Sequence, residues 1–526
     1  MASFDIIIKN GTLLDGVSDQ EHLADVGISQ GQIKAVGDLR NATAEKIIDA
    51  YGNFVSPGFI DIQNHSDSYL TLLEMPNLDS LVCQGITTIV VGHCGTSLAP
   101  LSGPDSVKSV QKWHSLAGAN LNWQSFAEYY AALERYPLGV NVLSLLGHGT
   151  IRRGLIKDAV RAATPEEIQV MKKLVKSGLD AGAAGLSLGL VYAHEADATA
   201  EELEGVSRLA GDAGKMISVH LRSEGSHVVQ ALGEAIGLAE KIHARLKISH
   251  FKIRGAHNFG LLDEALATLD AAYQKGVDVF FDVYPYTTSW NVLYTYLPKW
   301  AYEGGRAGVL KNLKDKSARE RILTYLRGLE EDIGSAFIAS SPANPSLIGK
   351  KISQFAANQS VSAPEALLNV LEATQTQVVV FDQNLSEKVM LAMLKHPLSI
   401  ISSDGTGYDF VYSAGQGLVH PRCFGTMPKF LELVRERGLM PWGEAIKKIT
   451  SRPAEKIGLT NRGKILPGFS ADIVIFNPTI VGSGATYENP YVRPDGIEYV
   501  LVNGNIAYES KKEEEVNPFG KVIKLK

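Results

Sequence analysis

Between residues 59 and 402 the chain repeats one rhythm: a short apolar run, a turn, an amphipathic stretch, then the next apolar run. Eight of the runs fit strands, at 59–62, 87–91, 141–146, 185–188, 216–219, 246–249, 277–283 and 398–402. Strands that alternate with helices pair in parallel through crossover connections. Eight such units close into a (β/α)8 TIM barrel, an α/β fold. An open doubly wound sheet is the competing arrangement. One intervening stretch shows the helical period clearly. Ile168, Met171, Leu174, Val175 and Leu179 recur near helical spacing, after Thr164, Pro165 and Glu167, which suit the cap, first position and early acid of a helix. Residues 287–397 are too long for one crossover and are expected to form an inserted segment over the barrel mouth.

The two ends have a different character. Residues 4–8, 26–28 and 33–36 are short apolar runs broken by Asn10-Gly11 and Gln30-Gly31, which are hairpin signals. No helix of ordinary length fits before residue 57. Residues 471–476 and 497–502 again read as strands, with Asn503-Gly504 as a turn. One small β-sandwich domain built from both termini, 1–57 plus 462–526, is expected around a barrel at 58–461. Chain termini often lie close together, so the arrangement is physically reasonable. The charged run at 511–515 reads as a solvated turn.

Composition excludes several function classes. With 51 basic and 57 acidic residues the net charge is −6, without the basic excess of a nucleic-acid binder. No apolar run reaches the roughly 18 residues that span a bilayer. The N-terminal segment lacks the features of a secretory signal. Three cysteines make no disulfide framework, which points to a reducing compartment and a cytoplasmic location.

The polar residues with metal-ligand chemistry fall at the strand ends. His65 follows the first strand, His93 and Cys94 the second, and His148 the third. His220 and His250 end the fifth and sixth, Tyr284 the seventh, and Asp404 follows the eighth. In a barrel these ends form one face, where active sites are built. Imidazole and thiolate suit zinc, and a catalytic zinc takes about three protein ligands and leaves a position for water. Cys94, His220 and His250 are the candidate ligands. A nearby carboxylate can take the water proton and hand it to a leaving amine, a role that fits Asp404. Cys83 and Cys423 read as core residues. His114, His227, His243 and His257 read as surface residues, and Gly92, Gly95, Gly147 and Gly149 as turn formers.

These residues sit in longer segments that resemble a known group. "DIIIKNGTLLDG", "PGFIDIQNHSD" and "QGITTIVVGHCGTSLAP" are similar to the amidohydrolase superfamily, and within it to the D-aminoacylase (N-acyl-D-amino-acid deacylase) family. "GLSLGLVY", "ISVHLRSEG", "KISHFK", "DVYPYT", "HPRCFGTMPKFL" and "RGKILPGFSADIVIFNP" extend the likeness in consistent order nearly to the C-terminus. The resemblance implies a metal-bearing barrel with a small β-sandwich. It also implies zinc on Cys94, His220 and His250, a catalytic Asp404, and Lys252, Tyr284 and Arg422 on the substrate carboxylate. The reaction implied is hydrolysis of an N-acyl-D-amino acid, a small anionic substrate.

One position departs from the pattern. The superfamily usually carries His-x-His after the first strand, and here the segment is Gln63-Asn64-His65. Glutamine is a poor zinc ligand, so one tightly bound zinc is expected. His65 is left to contact a weak second metal or to hydrogen-bond the bound water. Two other readings follow from the same departure: hydrolysis of another amide (a cyclic imide, ureido compound or dipeptide), and a non-catalytic scaffold of the same fold.

Overall fold

The computed structural model describes residues 3–109, 120–157, 159, 161–192, 194–329, 332–410, 417–512 and 516–526. All eight expected strands form, at Phe59–Asp61, Ile86–Val91, Asn141–Ser144, Gly185–Gly189, Met216–His220, Arg245–Ile248, Val279–Val283 and Ser399–Ile401. Each pairs in parallel with the next. The third breaks at Leu145: Asn141–Ser144 pairs with the second strand, and Leu146–Gly147 pairs with the fourth. The ring closes at its top, where Asn64 bridges Gly405 and Asp404 N donates to Gln63 O at 2.9 Å. The fold is therefore a TIM barrel with additional small sheets.

Alternation along the strands explains the core. The outward faces carry Ile89, Val219, Ile248 and Phe281, which pack beneath the surrounding helices. The inward face is apolar at the bottom, with Ile60, Val90, Leu143, Met216 and Phe280. Two residues further along, the same face turns polar, with Met216 giving way to Ser218 and Phe280 to Asp282. The polar end is the C-terminal rim. The helix Pro165–Asp180 has the expected start: Thr164 and Glu167 form a reciprocal capping box.

The chain ends build two further sheets. One orders Gln32–Gly37, Asp25–Ser29, Ser3–Lys9 and Thr43–Asp49. The other orders Asn505–Glu509, Ile497–Val502, Ile473–Phe476, Phe54–Pro57, Thr12–Leu13 and His22–Leu23. Gln30-Gly31 and Asn503-Gly504 turn between antiparallel neighbours, as expected. Asn10-Gly11 does not make a hairpin. It passes the chain from the first sheet into the second, because Ser3–Lys9 and Thr12–Leu13 belong to different sheets. The last residues also depart from the expected 462–526 grouping: Val522 bridges Val142, and Ile523 and Leu525 pack on the barrel bottom.

After the seventh strand comes the insertion. Its three-stranded sheet orders Ser289–Val292, Val379–Asp382 and Phe337–Ser340, over a separate core that includes Leu293, Ile322, Leu367, Leu371 and Val380. The helix Glu387–Lys395, inside the expected 287–397 span, instead packs on the last two barrel strands. Cys83 and Cys423 are buried. His227, His243 and His257 are exposed, whereas His114 and residues 513–515 lie outside the described residues. Among the described residues no helix is long and apolar enough to cross a membrane.

Candidate metal centre and active site

Cys94 hangs from a tight loop after the second strand. Gly92 and Gly95 flank it with φ of 82° and 72°, and neither tolerates a side chain. A Cβ on Gly92 would lie 2.3 Å from Leu145 O, and one on Gly95 would lie 1.7 Å from Glu195 Oε1. The loop is thus pressed onto the neighbouring strand ends, which fixes where the thiol points. His220 closes the fifth strand. His250 follows the sixth, with its backbone N–H donating to Asp282 Oδ1 at 3.0 Å.

The ligand-type atoms of Cys94, His220 and His250 lie within 4.8 Å of one another, and all three residues are buried. Cys94 Sγ is 3.3 Å from His250 Nε2. His220 Nδ1 is buried with no hydrogen-bond partner, an unfilled donor atom in a place where one should be satisfied. Burial alone would raise the Cys94 thiol. The positive charge of His250, with the hydrogen bond from His220, prevails and holds it well below its ordinary value. His220 is pushed down by burial and by the charge of His250, so it stays neutral. Burial and the Lys252 charge oppose a proton on His250, but Asp404 and Cys94 prevail and raise it to about 10. An incoming metal would release that proton and leave a thiolate and neutral imidazoles, the forms that ligate a metal. The donor set therefore fits a zinc-type ion. Glu224 backs it: its Oε1 lies 3.2 Å from His250 Nδ1 and 3.6 Å from His220 Nε2, and it accepts from Lys252 Nζ at 2.8 Å. Carboxylates behind metal-binding histidines orient the rings in this way.

Asp404 faces this group from the last strand. Its Oδ1 is 3.0 Å from His65 Nε2, and its Oδ2 is 2.8 Å from Arg422 Nη1. Burial works against its charge, but Arg422, His250 and His65 together hold it well below the usual carboxylate range. Arg422 in turn lies over the Tyr284 ring, 4.8 Å from its centroid, and over Trp290 of the insertion at 5.6 Å.

The structure brings His65, Cys94, His220, His250, Lys252, Tyr284, Asp404 and Arg422 to one pocket. Its empty volume is about 880 Å³, including solvent at the mouth. His65 stands apart from the three-ligand group because its imidazole is taken up by Asp404. His148 does not reach the pocket at all. It is buried between Glu195 Oε2 at 2.8 Å and Glu202 Oε1 at 3.0 Å, with Arg152 Nε also on Glu202 at 2.7 Å. His148 opens the helix that directly follows Gly147, and the two glutamates hold its imidazole away from the others. Sequence reasoning missed Glu224, Lys247 and Asp282. Lys247 carried a signal: it is a charge in the middle of an apolar strand. Glu224 carried none beyond its nearness to His220.

The model of the amidohydrolase family matches residues 46–508. D-aminoacylase of Alcaligenes xylosoxydans xylosoxydans is 33% identical over 502 residues, covering 95% of this chain and 94% of that one. A solved D-aminoacylase, described as having a binuclear metal centre with one-metal activation and second-metal attenuation, superposes with a TM-score of 0.84 at 32% identity. The match covers 99% of this chain and all of the other. N-acyl-D-glutamate deacylase from Bordetella bronchiseptica, solved with zinc and a phosphonate mimic of the tetrahedral intermediate, gives 0.84 at 29% identity with the same coverage. On the family model and these near full-length likenesses, this chain belongs to the amidohydrolase family.

Proposed function

We propose that the chain is a zinc-dependent deacylase that hydrolyses the amide bond of N-acyl-D-amino acids, giving a carboxylate and a free D-amino acid. The observation that carries this reading is Asp404 beside Cys94, His220 and His250, in one pocket with Lys252, Tyr284 and Arg422. The likeness to D-aminoacylase and to a D-glutamate deacylase supports the D preference. Three unpaired, buried cysteines support a reducing compartment such as the cytoplasm.

Cys94, His220 and His250 would hold the zinc, which when bound supplies a Lewis acid that polarises the amide carbonyl and acidifies a water. Asp404 Oδ1 takes the proton of the attacking water and returns it to the leaving nitrogen. His65 holds that oxygen in place. The substrate carboxylate goes to Arg422 and Tyr284. Arg422 Nε and the Tyr284 hydroxyl are buried donors with no hydrogen-bond partner, and an anion satisfies both. The Lys252 ammonium adds positive charge on the same side. When the substrate carboxylate shares Arg422, Asp404 loses part of the charge that acidifies it and becomes a better base.

The test is release of free amine from N-acetyl-D- and N-acetyl-L-amino acids by zinc-replete protein, repeated after chelation and after zinc is restored. D-selective release that is lost and then regained is expected. Full zinc occupancy with no release from any D substrate would overturn the reading.

A further inference from the structure

Gln63 is fully buried on the inner rim of the first strand, against the metal centre. Its Oε1 accepts a hydrogen bond from Lys247 Nζ. An ammonium only donates, so this bond fixes which end of the amide is oxygen and turns the NH2 the other way. That nitrogen lies 3.4 Å from His65 Nε2, 3.5 Å from Cys94 Sγ and 3.5 Å from Asp404 Oδ1. A nitrogen, a sulfur and a carboxylate oxygen, all ligand-type atoms from three different strand ends, therefore converge on one amide group.

Below the amide sits a lysine. Lys247 projects into the barrel from the sixth strand with no solvent exposure, and its Nζ is 2.7 Å from Asp282 Oδ1. Asp282 is itself pinned, accepting from the His250 backbone N–H at 3.0 Å and from Ser402 Oγ at 2.5 Å. A fully buried lysine is expensive unless paired, and removing one partner of such a pair is strongly destabilising. Asp282 and Lys247 therefore hold Gln63 in one orientation from beneath.

We propose that the Gln63 carboxamide, locked by Lys247 and Asp282, occupies the position beside Cys94 that a second metal ion would take, so that this chain holds a single metal. The inference rests on the Cys94–His220–His250 centre proposed above. The amide gives Asp404 and Cys94 N–H groups without the charge of a second dication, and the lysine below adds an electrostatic barrier to one. The relative described as binuclear, with attenuation by its second metal, shows what such a lock would prevent.

The test is metal content per chain by elemental analysis, after dialysis of the full-length protein against increasing zinc and removal of free ion. The wild type should hold one zinc per chain and stay there in excess zinc. Gln63→Ala and Gln63→His, both checked for native circular dichroism, should rise to two. Two zinc ions in the wild type would overturn the proposal, as would two folded variants that stay at one in excess zinc. A wild type that takes up no zinc would overturn the centre itself, and the lock with it.

Discussion

Three residues of the proposed chemistry sit in the left-handed backbone region: Cys94 at φ 55°, His250 at 36° and Asp404 at 47°. Such conformations cost on the order of 1–3 kcal/mol each for residues with a side chain, and they persist where the surroundings over-determine them. Here each follows the end of a strand, and the sharp turn points its side chain at the barrel axis. The strain predicts a trade between stability and metal. Cys94→Ala and Cys94→Gly should both lose most of the zinc. In metal-free protein the glycine variant should be the more stable of the two, by roughly 1 kcal/mol, because only it relaxes the turn. Denaturant unfolding of the two chelated variants measures the difference, and equal stabilities would count against strain at this position.

The barrel strands were legible because each is a short apolar run bounded by turn residues, and periodicity is a local signal. The proposed ligands were legible for the same reason, since Cys94, His220 and His250 mark the ends of those runs. What the sequence did not disclose depends on contacts between distant segments. Lys247 acquires its meaning only when Gln63 and Asp282 close around it. His148 has the same position relative to its strand as the ligands, and only the helix bearing Glu202 diverts it. That diversion makes His148 a structural clamp. Burial disfavours its charge, but the bonds to Glu195 and Glu202 prevail and raise it to about 9. The stability from a raised histidine is fully present below the unfolded value of about 6.5 and is lost as pH rises through the folded value. The melting temperature should therefore fall between about pH 6.5 and pH 9. In His148→Gln that stretch of the profile should flatten, and an unchanged slope would remove His148 from this role. The insertion is a second element with a testable job. Leu371 lies at the centre of its separate core, and that core carries the strand bearing Trp290 at the pocket wall. Leu371→Ala should destabilise by about 2–5 kcal/mol. It should also raise KM more than it lowers kcat, because the wall is disturbed while Asp404 and the metal ligands are not.

At the scale of the whole molecule, the barrel supplies a rigid rim, the insertion supplies a wall, and both chain ends brace the assembly from outside. The barrel floor is apolar and its rim polar, so charge is concentrated where the strands end. Arg422, Asp404, His65, Gln63, Lys247 and Asp282 form a connected set around the three proposed metal-ligand residues. A scaffold that had lost its chemistry would have no physical need for a buried thiolate, a low-lying carboxylate and unpartnered donors in one pocket. The measurement that separates an enzyme from such a scaffold is zinc content and turnover of Asp404→Asn, taken side by side on N-acetyl-D-amino acids. The predicted result is about one zinc per chain, with turnover reduced by roughly 10²–10⁴-fold, the usual contribution of a positioned acid–base group. Near-normal turnover with the zinc retained would contradict the account.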